Sequence, residues 1–338
     1  MIVTAIGRAV ERENLSEDLA HASMEQILAG EATAAQIAAL AIALRMKGET
    51  PEEIAGMARA MRQRVPPLRT RRSPLMDTCG TGGSEPAGGV KFNISTTVAI
   101  VTASCGVAVA KHGNRAVSSR TGSADVLEAL GVRVDLTPES AGRSLDHLGI
   151  TFLFAPNYHS AMRNASSARK EMGVRTVFNL LGPITNPAGA TRQLLGVYAD
   201  AYVPVLADVL RRLGSERAMI VHGSDGMDEL TVFGKSHVAE LRDGKVKEYA
   251  IDPGEHGLAH TDRAAVSGGN AQDNAQKIRA VLGGAKGPAR DIVLLNAGAA
   301  LYVAGVTGDL PSGIERARSA IDRGEAARKL DELAAFRG

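Results

Sequence analysis

LMDTCGTGGSEPAGGVKFNISTTVAIVTAS, residues 75–104, sets in one line a short apolar run, a glycine-rich turn and an apolar segment free of glycine and proline. It reads as strand, turn and helix. The pattern recurs downstream, where VAVAKHG, VRVDL, ITFLFAP, QLLGVYA and AMIVHG are short apolar runs separated by helical stretches. Such alternation predicts βαβ units around a mostly parallel sheet. The glycines fall at the carboxyl end of the first strand, where open α/β sheets bind ligands. A turn so poor in side chains is either a slack linker or one whose backbone amides approach an anion, helped by the N-terminus of the helix that follows. It fits neither the dinucleotide fingerprint nor the P-loop.

Two further strand ends carry matching chemistry. KHGNRAVSSRTGSAD (111–125) brings Lys111, His112, Asn114, Arg115, Ser118, Ser119 and Ser123 out of a buried strand in one loop, a dense set of phosphate donors. HGSDGMDELT (222–231) supplies Asp225, Asp228 and Glu229. Carboxylates facing phosphate donors would repel an anionic ligand unless a hard cation lies between them, and magnesium is the usual one because it bridges phosphates.

The first 65 residues read differently, as consecutive helices with clear boundaries. Ser16 caps one helix and Gly30 stops it; Thr33 with Gln36, and Thr50 with Pro51 and Glu53, start two more. The segment holding Leu40, Ile42, Ala43 and Leu44 is apolar nearly all round, which predicts cover from a second copy of the chain or from the other domain. VPPLRTRRSP (65–74) marks a linker. The division expected is a small helical domain over 1–68, joined by helices from about 159–185, and an α/β domain over 75–338, with the active site in the cleft between them. Within the latter, Asp243-Gly244 between two β-like runs signals an antiparallel hairpin. From Asn270 onward the chain reads as helices.

Composition excludes several classes of function. Among 338 residues, 39 Lys and Arg stand against 37 Asp and Glu, so no global basic field exists to hold nucleic acid. Aromatics at 3% and no Trp leave little to stack on bases. The longest apolar stretch, 98–110, is too short to span a bilayer. Two cysteines, Cys79 and Cys105, and a start without the apolar core of a signal peptide lead to the expectation of free thiols in a cytoplasmic protein.

From GEATAAQIAALAIALRMKGETPEEIAG through DTCGTGG, FNIST, KHGNRAVSS, GSADVLEALG and RKEMGVRTVFNLLGPITNPAG to the DEL turn, the chain resembles the anthranilate phosphoribosyltransferases, of the nucleoside-phosphorylase-like class. The resemblance implies transfer of a phosphoribosyl group from phosphoribosyl pyrophosphate to anthranilate, with Mg2+, in a homodimer joined through the helical domains. It implies that Gly80, Gly82, Gly83, Ser84, Lys91, Asn93, Ile94, Ser95 and Thr96 line the pyrophosphate, Ser95 also touching magnesium. Lys111, His112, Gly113, Asn114, Arg115, Ala116, Val117, Ser118, Ser119 and Ser123 would complete the cradle, and Asp228 and Glu229 a second metal region. Asn114 and Arg169 would contact anthranilate, with His112 and His159 nearby; Lys111, His112 and Arg169 are the candidate catalytic residues. Ser84 stands where the family usually has Asp, and Lys91 where Thr is common; a serine exchanges hydrogen bonds but supplies no carboxylate charge. Two rivals share part of this pattern. A pyrimidine-nucleoside phosphorylase has the same architecture but no use for pyrophosphate and metal equipment, and a noncatalytic nucleic-acid binder needs a basic groove.

Overall fold

Side-chain caps set where three of the four helices of the first 65 residues begin. The structure, a computed structural model, describes residues 1–82, 91–116 and 121–338. Helix α1 spans Ile2–Val10, α2 Glu17–Ala29, α3 Ala34–Lys47 and α4 Pro51–Gln63. The Ser16 hydroxyl accepts from the Leu19 amide, and Gly30, at φ 78°, closes α2 in the left-handed conformation. Thr33 with Gln36 and Thr50 with Glu53 form reciprocal capping boxes on α3 and α4, satisfying amides that have no partner within the helix. Glu53 does more than cap. Fully buried, it accepts from the Leu15 amide at 2.8 Å, the Thr50 amide at 2.9 Å and the Lys47 ammonium at 3.0 Å. One carboxylate thus ties the start of α4 to the end of α3 and to the α1–α2 connection.

The remaining elements are β1 (Met76–Gly80), α5 (Ile94–Ser104), β2 (Val109–Gly113), α6 (Ser123–Ala129), α7 (Pro138–Leu148), β3 (Ile150–Phe154), α8 (Ala155–Tyr158), α9 (Ser166–Met172), α10 (Phe178–Leu181), β4 (Arg192–Gly196), α11 (Tyr202–Arg212), β5 (Arg217–Gly223), β6 (Ser236–Arg242), β7 (Lys245–Ile251), α12 (Ala271–Leu282), α13 (Pro288–Val303), α14 (Leu310–Asp322) and α15 (Glu325–Ala335). They form a 7-stranded sheet in the order β3-β2-β1-β4-β5-β6-β7. From β3 to β5 the pairing is parallel, and β6 and β7 add an antiparallel pair. The mostly parallel sheet is the one the sequence predicts. Asp243 at φ 52° and Gly244 at φ 71° make the two-residue turn between β6 and β7, the primed geometry whose twist suits a hairpin.

VRVDL (132–136) is a correction: it forms no strand. Val132, Val134 and Leu136 are buried and the residues between them exposed, so its alternation reports an extended chain pressed onto the core. The Val132 amide bonds instead to the Leu127 carbonyl at 2.9 Å, closing α6.

The two faces of the sheet bury different partners. One packs α5 and α12 to α15; the other packs α11 and continues into the core of the N-terminal helices. Between them, α9 lies on α3 and α10 on α4. The Arg62 guanidinium donates to the Ile184 carbonyl at 2.8 and 3.0 Å and to the Leu213 carbonyl at 3.1 Å. Helix α3 turns Ile37, Leu40, Ala41 and Leu44 inward, yet Ile42 and Met46 remain 37% and 70% exposed. The neighbouring α1 likewise exposes Val3 and Val10.

Removing a buried acceptor strands its donors, and loss of one member of a buried ion pair costs about 3–5 kcal/mol. Glu53→Ala is therefore expected to lower unfolding free energy by roughly 3 kcal/mol or more, read from urea midpoints, and Glu53→Gln by less.

Candidate active site at the carboxyl ends of the strands

β1, β2, β4 and β5 each end in a glycine: Gly80, Gly113, Gly196 and Gly223. Chain connections leave β1 toward β2 on one side while β4 continues on the other, so the crevice between β1 and β4 is the topological switch point. The turn carrying Asp228 lies across that crevice. A Cβ at Gly80 would stand 2.5 Å from Asp228 Oδ2, and one at Gly196 would clash with the Asp228 carbonyl oxygen. The acidic turn is seated there because these two positions have no side chain.

The three carboxylates of the turn then part company. Asp225 folds back on its own loop, accepting from the Thr231 hydroxyl at 2.8 Å and the Met227 amide at 3.3 Å, so it holds the turn's shape. Asp228 and Glu229, both buried, share one ammonium: Lys91 Nζ is 2.5 Å from Asp228 Oδ1 and 3.2 Å from Glu229 Oε1. The Gly82 amide donates to the other Asp228 oxygen at 3.0 Å. Burial alone would lower the Lys91 pKa, but the two carboxylates outweigh it and the net shift is upward. A lysine thus sits where the sequence reading expects a metal ion, and it faces protein carboxylates where that reading expects it to face substrate.

Lys111 belongs to β2. Its ammonium donates to the Thr78 carbonyl at 2.6 Å and to Ser95 Oγ at 3.3 Å, which leaves one proton for a ligand. Burial lowers its pKa, with Asp77 opposing. Asp77 and Asn186, which the sequence reading passes over, brace this strand end. Asp77 accepts from the His112 amide at 3.2 Å and the Asn186 side chain at 2.7 Å, and Asn186 also donates to the Ala110 carbonyl at 2.8 Å. The available signal was a carboxylate inside the buried run LMDTC, since a buried charge requires partners.

Ser95 and Thr96 occupy the first turn of α5, and the buried Thr96 hydroxyl has no partner among the described residues. Ile94 belongs to the core. Asn93 is engaged locally, donating to the Thr121 carbonyl at 3.3 Å and accepting from Asn274 at 2.9 Å. In the next loop, Asn114 Oδ1 accepts from the Arg115 amide at 2.8 Å. Arg115 pairs with Glu128 at 2.5 Å and Asp125 at 3.2 Å, its guanidinium 5.5 Å from the centroid of the Phe154 ring at the end of β3. Asp125 Oδ2 accepts from the Ala116 amide at 2.9 Å and the Gly122 amide at 2.8 Å, pinning the two flanks of 117–120. Ser123 opens α6 beside Gly113: a Cβ on that glycine would stand 2.9 Å from Ser123 Oγ. Gly83, Ser84, Val117, Ser118 and Ser119 lie outside the described residues.

His159, at the end of α8, meets His112 of β2 with ring centroids 5.2 Å apart. The Nε2 atoms of both are buried and unpartnered among the described residues. Burial, and for His112 also the neighbouring His159, depresses their pKa values to about 3 for His112 and about 4 for His159. Both rings are neutral at physiological pH. Arg169, on α9, sets its guanidinium 5.7 Å from the Phe178 ring centroid and makes no hydrogen bond or ion pair among the described residues.

Comparison with known proteins gives this constellation relatives. The sequence matches the glycosyl transferase family a/b domain over residues 72–327 and the glycosyl transferase family helical bundle domain over 3–65. It is 53% identical to an anthranilate phosphoribosyltransferase of Moorella thermoacetica, covering 99% of this chain and 98% of that one, and 51% identical to that of Desulforamulus reducens, covering 99% and 96%. The fold superposes on the crystal structure of anthranilate phosphoribosyltransferase from Thermus thermophilus with a TM-score of 0.92 at 47% identity, covering 98% of both chains. On the Saccharomyces cerevisiae enzyme in complex with phosphoribosyl pyrophosphate and Mg the TM-score is 0.87 at 26% identity, covering 98% of this chain and 96% of that one.

The depressed histidines set a pH dependence. Each binds its proton more readily unfolded than folded, so its contribution to stability is full above pH about 6.5 and is lost as pH falls toward the folded values. Urea midpoints should drop between pH 6.5 and 4.5, each histidine contributing up to about 1.4 kcal/mol per pH unit. The His112→Asn and His159→Asn variants should each show a shallower decline.

Proposed function

The chain belongs to the anthranilate phosphoribosyltransferases of the glycosyl transferase family, and from that premise we propose how its own residues divide the work. The reaction moves the 5-phosphoribosyl group of phosphoribosyl pyrophosphate onto the amine of anthranilate, giving N-(5-phosphoribosyl)anthranilate and pyrophosphate in tryptophan biosynthesis. The C1–oxygen bond to pyrophosphate breaks, the nitrogen lone pair forms the C1–N bond, and the nitrogen then gives up one proton. As the bond to pyrophosphate breaks, positive charge grows on the ribose and negative charge on the leaving group. Stabilising the leaving group is therefore most of the catalytic task.

The observation that carries the assignment of roles is the meeting of Lys111 and Ser95 at 3.3 Å beside the β1–β4 crevice. Lys111 and the first-turn amides of α5 offer fixed positive potential to the pyrophosphate. Gly80 and Gly82 lie along the same ligand, and Asn114 and Ser123 face it from the end of β2 and the start of α6. Asp77 keeps Lys111 in place through the β2 backbone.

Ser95 fits a magnesium ion that arrives on the substrate. It is a single neutral hydroxyl, already accepting from Lys111, so the other ligands must be phosphate oxygens and water. No group of three or more His, Cys, Asp or Glu side chains suited to a metal occurs among the described residues. When bound, the ion spreads the charge of the departing pyrophosphate.

The acceptor side needs positioning, because the aromatic amine is neutral near pH 7 and its lone pair requires no base. Arg169, without a protein carboxylate among the described residues, pairs with the carboxylate of anthranilate, and Asn114 adds a polar contact. His112 and His159, neutral and aromatic, form a wall that admits the ring without adding charge.

The exposed Met46 and Ile42 of α3 and Val3 and Val10 of α1 provide the contact through which two copies join. Met46→Asp with Val10→Asp should halve the sedimenting mass.

The direct test is loss of anthranilate fluorescence in the presence of phosphoribosyl pyrophosphate and Mg2+. Arg169→Ala should raise the anthranilate KM about tenfold to a hundredfold, the equivalent of a charge-assisted hydrogen bond of roughly 1.5–3 kcal/mol. The KM for phosphoribosyl pyrophosphate should change little; equal changes in both would remove Arg169 from the acceptor site.

A further inference from the structure

The sequence argument calls for a cation between the acidic turn and the phosphate donors, and the chain itself supplies one. We infer that Lys91 is a resident cation that occupies the Asp228–Glu229 position in place of a magnesium ion, so that the magnesium used in turnover is the ion carried by phosphoribosyl pyrophosphate. This rests on the reading of the β1–β4 crevice as the pyrophosphate site.

Three observations support it. The ammonium bridges two adjacent buried carboxylates, 2.5 Å from one and 3.2 Å from the other, which is the service a metal would perform there. The other oxygen of Asp228 accepts from the Gly82 amide at 3.0 Å, so the carboxylate is oriented by the glycine segment as well as by the ammonium. A divalent ion on the same oxygens would be forced against a positive charge.

The third observation is that Lys91 is held by its backbone. It forms an antiparallel bridge with Ser267, the Phe92 amide bonds to the Val266 carbonyl at 3.0 Å, and a Cβ on Gly268 would stand 2.5 Å from the Lys91 carbonyl. Lys277 Nζ in turn donates to the Ser267 carbonyl at 2.7 Å. A surface lysine meeting two carboxylates by chance would have no such support. The consequence is specific: Lys91 fixes Asp228 and Glu229, and through Asp228 the Gly82 amide, before substrate arrives. It acts as a positioning residue and takes no part in bond making.

Manganese, which accepts the same oxygen ligands as magnesium, counts the sites directly when free Mn2+ is followed by electron paramagnetic resonance during titration of the full chain without substrate. The wild type is expected to leave Mn2+ free, while Lys91→Met gains one site at least tenfold tighter than any in the wild type. Adding Asp228→Asn to Lys91→Met should remove that site, and Lys91→Arg, which keeps the charge, should match the wild type. Wild-type binding that Asp228→Asn abolishes would overturn the inference, as would a folded Lys91→Met that binds no Mn2+. Absence of phosphoribosyl transfer by the wild type would instead sink the functional reading and leave the Mn2+ count standing.

Discussion

The acidic turn can lie across the ends of β1 and β4 only because Gly80 and Gly196 present no side chain to the Asp228 backbone and carboxylate. That clearance brings a segment from beyond β5 to the centre of the sheet. Once it is there, Asp228 can reach the Gly82 amide and Lys91, residues it follows by well over a hundred positions. Lys91 in turn is held by the chain around 266–268, just before α12. Four distant stretches are assembled by the absence of two Cβ atoms.

Charge is then layered through the site. Asp77 and Lys111 lie within the sheet, bound to backbone groups of neighbouring strands. Lys111 reaches Ser95 in the first turn of α5, and Lys91 pairs with Asp228 and Glu229. Buried ions of this kind stabilise a fold weakly at best, because desolvation offsets their attraction. What they provide is a field already oriented when an anion enters, with no reorganisation left for the reaction itself.

The features legible in the sequence were those decided locally. The caps at Ser16, Thr33 and Thr50 depend on residues three apart, and the Asp243-Gly244 turn on two neighbours whose backbone tolerates positive φ. Lys111 was visible because it leaves an apolar strand at a ligand-binding end. VRVDL misled because alternation reports which side chains are buried, and an extended segment lying on helices has the same period as a strand. Arg115 was read as a phosphate donor, and its ion pair with Glu128, 13 residues along the chain, was not part of that reading. The pairing of Lys91 with Asp228 spans 137 residues, and no local pattern announces it. Asp77 and Asn186, 109 residues apart, are of the same kind; each alone reads as an ordinary polar residue.

The hairpin that closes the sheet has an effect away from the active site. β7 is the edge strand of the sheet, and among the described residues its outer backbone groups have no further strand to bond. Lys245, Lys247 and Glu248 stand exposed along it. Another chain approaching in extended form would have to strip water from these charges before it could pair with that edge. Concentrated solutions of the folded protein should therefore resist growth by strand addition at β7.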